Sequence, residues 1–329
     1  MYNGAFGLKE APFGLTPEPR FVYLSAQHRN ALAGLTYGIL SRKKFILLSG
    51  DIGTGKTTLI RTALRHLPES LIHVSLITNS TLTAREVLEA TLYSFGVEDI
   101  PPGKVERLCA LEELLLADVR EGRTTTLIID EAHKLEYDAL EEIRLLGNFD
   151  SLQIVLAGQN ELVDLLSHDE LRAFKQRIAL RLTLEHLSSA DVAQYIAHRW
   201  KTAGGALPVP FDSEALEGIA RESRGIPRLI NTLCDIALLE AFQDNRNVAT
   251  GQDIVEASSD LRISDANDPR GGPQALAANR EEIPSHMDVT PKTSQPVRAT
   301  IFARLLRSTR GDETAISAPG LPPSHEIHR

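Results

Sequence analysis

The run Gly50-Asp51-Ile52-Gly53-Thr54-Gly55-Lys56-Thr57-Thr58 carries the pattern G-x-x-x-x-G-K-[ST]. Small residues at that spacing let backbone N–H groups turn inward around phosphate oxygens. Lys56 then stands where an ammonium reaches the β and γ oxygens of a triphosphate, and Thr57 where a hydroxyl reaches a magnesium ion. The apolar run FILLS at 45–49 leads in and a helical pattern leads out, so the loop would open a helix whose N-terminal dipole favours an anion. The ligands implied are ATP and Mg2+.

A second run, TTTLIIDEAHKL at 124–135, reads as a buried strand ending in two acids. Parallel α/β sheets meet their ligands at the carboxyl ends of strands, which places Asp130 to hold magnesium together with Thr57, and Glu131 to polarise a water for attack on the γ-phosphate. A third run, LQIVLAGQN at 152–160, ends in amides; Gln159 or Asn160 suits the orientation of that water or the sensing of the γ-phosphate, because an amide both donates and accepts. Arginines complete the set, with Arg172 and Arg177 in ELRAFKQRIALRL and Arg228 in SRGIPRLIN. A guanidinium fork stabilises charge on a transferring phosphoryl group, whether it comes from a neighbouring subunit or from a lid; read singly, each of these arginines is a surface ion-pair partner first, and its position after the fourth strand or at a lid-helix start is what points to the phosphate.

The elements that must position these residues alternate along the chain. Strand-like apolar runs at 45–49, 72–76, 125–129, 152–157 and 178–184 are separated by helical patterns at 56–67, 83–95, 104–120 and 136–146, as in a parallel α/β sheet. Because the run at 71–76 falls between the two motif strands in sequence, it is expected to separate them in the sheet, an arrangement unlike the simple nucleotide kinases. Ahead of the sheet, residues 1–24 read as an irregular arm with anchoring aromatics, and Ser25 as the N-cap of a helix with Leu32, Leu35 and Ile39 on one face. Beyond 187 the strand signals stop. Helical patterns at 188–203, 212–223, 226–242 and 250–260, with Ser188 and Asp212 as N-caps, predict a small helical domain at 187–261 after a core at 25–186.

The 329 residues carry a net charge of -9, which offers no overall attraction for nucleic acid, so a nucleic-acid partner would need a local basic patch. Two cysteines, Cys109 and Cys234, sit among apolar residues in helix-like stretches without a metal-ligand companion, and are expected to be buried thiols in a reducing compartment. No apolar run reaches the roughly 18–20 residues of a membrane helix, and the start MYNGAFGLKEAPFG has neither a basic nor an apolar signal region. A cytoplasmic protein is expected, free or peripheral at the inner membrane. Residues 262–329 hold eight of the seventeen prolines and are expected to be a largely disordered tail, in which Ile301, Phe302, Leu305 and Leu306 with Arg304 and Arg307 form a short amphipathic segment.

Taken in order, GDIGTGKTT, LIIDEAHKL, IVLAGQNEL, QRI and GIPRLINTLCD resemble the motifs of an AAA+ ATPase. The N-terminal FGL, PFGLTPEPRFVYLS and LAGLTYGI are similar to the general secretion pathway protein A (ExeA-type) branch, so the resemblance covers residues 6 to about 260. It implies an α/β fold of the P-loop NTPase (AAA+) type, with a parallel sheet core and a small C-terminal all-helical lid domain. It further implies Gln159 as the first sensor, Arg177 as the arginine-finger candidate and Arg228 as the second sensor on the lid. Proteins of that branch commonly continue into a membrane helix and a periplasmic peptidoglycan-binding region, which residues 262–329 do not resemble. The MuB and TniB transposition ATPases share the core pattern and bind DNA. The function expected is hydrolysis of Mg-ATP, by a chain that self-associates with ATP, to drive assembly or remodelling of a secretion or cell-envelope machine, with a DNA-binding regulator of transposition as the alternative.

Overall fold

Alternation along the central strands settles the layering in the computed structural model, which describes residues 2–68 and 70–261. In β1 (Phe45–Gly50) every residue is buried, with Phe45 and Leu47 in one apolar cluster and Ile46 and Leu48 in another. The same split runs through β4 (Leu152–Gly158), where Ile154 and Leu156 face the first cluster and Val155 and Ala157 the second. Strands buried on both faces must be covered on both faces, and helices do so. Over one face lie α1 (Ala26–Leu40) and α2 (Lys56–His66). Over the other lie α3 (Ala84–Ser94), α4 (Lys104–Arg120) and α5 (Tyr137–Leu146). The edges are less covered: three of six residues are buried in β2 (Ile72–Ile77) and only Leu184 in β5 (Ile178–Leu184).

All pairings are parallel, in the order β2-β3-β4-β1-β5 with β3 at Thr124–Ile129. The strand at 72–76 therefore does not separate the two motif strands. β4 does, while β2 lies outside β3 at the edge. Sequence order misleads here because β1 pairs with strands that come more than a hundred residues later, and nothing local encodes that pairing.

After β4, short helices α6 (Asn160–Leu165) and α7 (Arg172–Lys175) lead to β5. A helical bundle follows: α8 (Ser189–Thr202), α9 (Ser213–Ser223), α10 (Pro227–Gln243) and α11 (Gly251–Asp260). Ser25, Ser188 and Asp212 cap their helices by accepting from the backbone N–H groups of His28, Asp191 and Ala215. The N-terminal arm packs on this bundle, with Tyr2, Leu8, Phe13 and Phe21 buried in one apolar cluster with Val192, Tyr195, Ile196 and Trp200. Arg199 pins it, donating from Nε to the Pro12 carbonyl at 2.7 Å and from Nη2 to that of Gly14 at 3.1 Å.

Cys234 is buried in α10, but Cys109 is exposed, against expectation. The buried face of α4 is set by Arg107, Leu111, Leu115 and Asp118, and Cys109 sits two residues from the nearest of these, on the far side of the helix. No helix among the described residues is long and apolar enough to cross a membrane. The segment 262–329, with its expected amphipathic stretch, lies outside the described residues.

Candidate functional site

The loop 50–58 leaves β1 at the carboxyl edge of the sheet and enters α2 at Lys56. Its turn depends on left-handed backbone at Gly53 (φ 80°) and Gly55 (φ 99°). Gly53 is doubly constrained, because a Cβ there would come within 2.8 Å of the Arg228 Cβ on the facing bundle helix. Lys56 is 5% exposed, and its ammonium donates to the backbone carbonyls of Gly50 at 2.7 Å and Asp51 at 3.0 Å. Burial holds its pKa below the usual lysine value, opposed by the nearby carboxylates of Glu131, Asp130 and Asp51.

The second motif meets the first. Thr57 Oγ1 donates to Asp130 Oδ2 at 2.5 Å, and the other Asp130 oxygen accepts from the Glu131 backbone N–H at 2.9 Å. Asp130 is 2% exposed. Glu131 departs from ordinary backbone geometry, with φ 55° and ψ 28°, a left-handed conformation that a residue with a Cβ adopts at a cost. Its carbonyl accepts from Ser80 Oγ at 2.7 Å, which helps to hold it there. The carboxylate lies 3.2 Å from Lys134 Nζ and 3.7 Å from His133 Nε2.

The neighbouring strand contributes next. Gly158 is opposite Ser49, so the residues after β4 stand beside the start of the loop. Asn160 Nδ2 donates to Asp51 Oδ1 at 2.6 Å, while the Gln159 side chain contacts His133. The second Asp51 oxygen is 2.7 Å from His186 Nε2, at the entrance to the bundle. His28 of α1 braces the loop from behind. Its Nδ1 is 2.8 Å from Ser25 Oγ and its Nε2 3.2 Å from the Thr54 carbonyl, and burial lowers its pKa, which favours the neutral ring.

Arg228, at the start of α10, donates its backbone N–H to the Gly53 carbonyl at 3.3 Å. Loop, arm and bundle together form a cleft of about 520 Å3, lined by Lys56, Thr57, Glu131 and Arg228 and, among others, by Val22, Tyr23 and Leu187. That volume is in the range of small-molecule sites. Arg177 is elsewhere. It directly precedes β5, whose first residue pairs with Phe45, so it lies at the amino edge of the sheet while the loop leaves the carboxyl edge; six strand residues separate the two, roughly 20 Å. There Arg177 Nη1 donates to Asn148 Oδ1 at 2.8 Å and to the Arg144 carbonyl at 3.4 Å. Arg172 is exposed at the head of α7.

These residues fit a magnesium-bound triphosphate. A buried cation whose hydrogen bonds go only to carbonyls calls for an anion, and a threonine hydroxyl against a carboxylate is a donor set for a hard cation. Among the described residues no cluster of three or more His, Cys, Asp and Glu forms a separate metal site. Residues the motifs did not single out are His28, Ser80, His133 and His186. Of these only His133, two positions after Glu131, carried a signal of its own in the sequence.

The chain matches known proteins along the same lines. Residues 39–166 match the AAA domain family. The chain is 39% identical over 270 residues to General secretion pathway protein A of Aeromonas hydrophila, an alignment covering 79% of this chain and 48% of that one. It is 29% identical over 206 residues to the ATP-dependent target DNA activator B of Escherichia phage Mu, covering 61% of this chain and 62% of that one. It thus spans about half the length of the first relative and under two thirds of the second. Cdc6p from Pyrobaculum aerophilum superposes with a TM-score of 0.60 at 16% identity, over 77% of this chain and 70% of that one, which speaks to the fold alone. Residues 39–166 thus match the AAA domain family, in a chain that has the fold of AAA+ P-loop proteins and resembles General secretion pathway protein A.

Proposed function

We propose that this chain binds ATP with magnesium in the cleft beside Lys56 and hydrolyses the γ-phosphate, and that it uses the cycle to assemble or remodel a secretion or cell-envelope machine. The observation that carries the chemistry is a convergence in the segments that follow two strands: Lys56 buried at the end of the loop, Thr57 bonded to Asp130, and Glu131 lining the same cleft as Lys56 and Thr57.

Magnesium, when bound, would offset phosphate charge and polarise the group under attack. In this reading the remaining work falls to the protein. The N–H groups of 50–58 cradle the phosphates and Lys56 exchanges its carbonyl partners for phosphate oxygens. Thr57 and Asp130 hold the metal, directly or through water, and Glu131 accepts the proton of the attacking water. Gln159, one residue past the end of β4, takes the part of a sensor, and Arg228 brings the bundle over the phosphates as a lid. Arg177 cannot reach its own loop from the amino edge of the sheet, so its proposed part is in a neighbouring copy's site, which makes the working form an oligomer.

Similarity to General secretion pathway protein A, at 39% identity, supports the secretion reading over the DNA-regulator reading supported by 29% identity to the phage Mu protein. ATPase assays with and without duplex DNA over a range of salt test the choice. The secretion reading expects turnover indifferent to DNA. Stimulation that fades as salt rises would favour the DNA reading instead.

A further inference from the structure

We propose that His133 is a positioning residue that decides which end of the Gln159 amide faces the phosphate side of the site and links that amide to Glu131. The proposal rests on the ATPase reading above and deepens it.

His133 follows Glu131 by two residues, with a side chain only 12% exposed. Two contacts from Gln159 bracket its ring: the backbone N–H reaches Nδ1 at 3.4 Å, and the side-chain amide nitrogen lies 2.9 Å from the ring Nε2. A neutral imidazole has one N–H and one lone pair in the ring plane, so its two nitrogens cannot both accept. A backbone N–H has no second orientation, whereas a side-chain amide can turn end for end. Acceptance at Nδ1 therefore puts the ring proton on Nε2, and the Nε2–H requires an acceptor. An amide NH2 at 2.9 Å would then set donor against donor, so the amide must turn end for end and offer its carbonyl oxygen instead, with Glu131 Oε2 at 3.7 Å from the same ring nitrogen.

The consequence lies at the other end of the amide. With its oxygen committed to His133, Gln159 presents its NH2 away from the ring. Gln159 follows Gly158, which stands opposite Ser49 at the foot of the phosphate loop. A donor suits an anionic phosphoryl oxygen there, and a carbonyl would repel it. The imidazole thus selects donor over acceptor, and because the same N–H faces Glu131, movement of the carboxylate and of the amide are tied through one ring.

The first test needs no nucleotide. In full-length protein labelled with 15N-histidine, with the His133 signals identified by their loss in His133→Ala, long-range 1H–15N correlation should show the Nε2–H tautomer. An Nδ1–H tautomer would overturn the proposal whether or not the chain hydrolyses ATP. The second test is kinetic. His133→Ala should lower kcat about 10²-fold, as misplacement of a reacting group does, with ATP affinity unchanged. Adding it to Gln159→Ala should cost nothing further, because the ring acts through that amide. Losses that multiply, or an unchanged kcat in His133→Ala, would refute the positioning role. Each variant is compared by its cooperative melt, and if the alanine variant does not fold, His133→Asn, too short to hold Gln159, replaces it. Absence of ATPase activity in the wild-type chain would sink the ATPase reading and leave the tautomer to be judged on its own.

Discussion

Replacing Glu131 by glycine and by alanine separates the backbone of this residue from its carboxylate. Both variants lack the proposed base, so neither should hydrolyse ATP. They differ in what φ 55° costs them. For a residue with a Cβ the left-handed conformation costs roughly 1–2 kcal/mol, and glycine escapes that. Glycine also has more freedom to lose on folding, about 0.5–1 kcal/mol relative to alanine, which offsets part of the gain. The Glu131–Lys134 ion pair, at 34% and 52% side-chain exposure, is lost equally in both and cancels. Glu131→Gly should therefore be more stable than Glu131→Ala by about 0.5–1 kcal/mol, the reverse of the usual order inside a helix. The Ser80 hydroxyl and the Asp130 carboxylate bond the backbone carbonyl and N–H of residue 131 in either variant, so the conformation should persist. Thermal melts without nucleotide, on both variants in one buffer, read the difference as about 2 °C. If the alanine variant melts at or above the glycine one, the backbone is not held in the left-handed region and the geometry assigned to this site is wrong.

Further outcomes follow from other parts of the structure. Arg177→Ala should bind ATP but turn it over slowly, and mixing it with Lys56→Ala should restore activity, because each supplies what the other lacks; failure of the mixture to exceed the sum of its parts would return Arg177 to its contact with Asn148. Burial and, next, repulsion from Glu256, Asp253 and Asp260 raise the Glu240 pKa to about 7 in the folded chain, against about 4.5 unfolded. The folded state then binds more protons between those values, so this group's contribution to stability falls as pH rises from about 4.5 through about 7. Glu240→Gln should raise the melting temperature more at pH 8 than at pH 5, and an equal effect at both would contradict the shift. Arg199→Ala leaves the Pro12 and Gly14 carbonyls without their donor and should lower stability by roughly 2–4 kcal/mol, with a red shift of Trp200, the single tryptophan, which packs on Phe6 of the arm at 6.0 Å. An unchanged melt and spectrum would mean that the arm is held by something else.

Much of this architecture is written in short-range pattern. All five strands and the helices α2 to α5 fall where alternation and period place them, though the short α6 and α7 between β4 and β5 do not, and the caps at Ser25, Ser188 and Asp212 announce themselves by type and position. The meeting of Thr57 with Asp130 follows once both motifs are put at the carboxyl edge of one parallel sheet. What pattern does not carry is pairing over distance. The placement of β4 between β1 and β3 depends on contacts across a hundred residues, and the docking of Phe13 and Phe21 on α8 could not be read from an arm that has no period. Cys109 was legible in principle, since its phase against Leu111 and Leu115 puts it on the exposed face of α4. The left-handed turn at Glu131 was not, because glutamate has no preference for that region and only the surrounding bonds from Ser80 and Asp130 impose it. His133 is intermediate: its nearness to Glu131 is sequential, and its hold on Gln159 is purely spatial.

In a P-loop ATPase of this geometry, nucleotide binding and hydrolysis must divide between Lys56 and Glu131. Titration with Mg-ATP and phosphate-release kinetics on the wild type, Lys56→Ala and Glu131→Gln decide it. Glu131→Gln should bind ATP as the wild type does while its turnover falls by about 10²-fold or more, and Lys56→Ala should bind none. Equal turnover in Glu131→Gln, or undiminished affinity in Lys56→Ala, would contradict it.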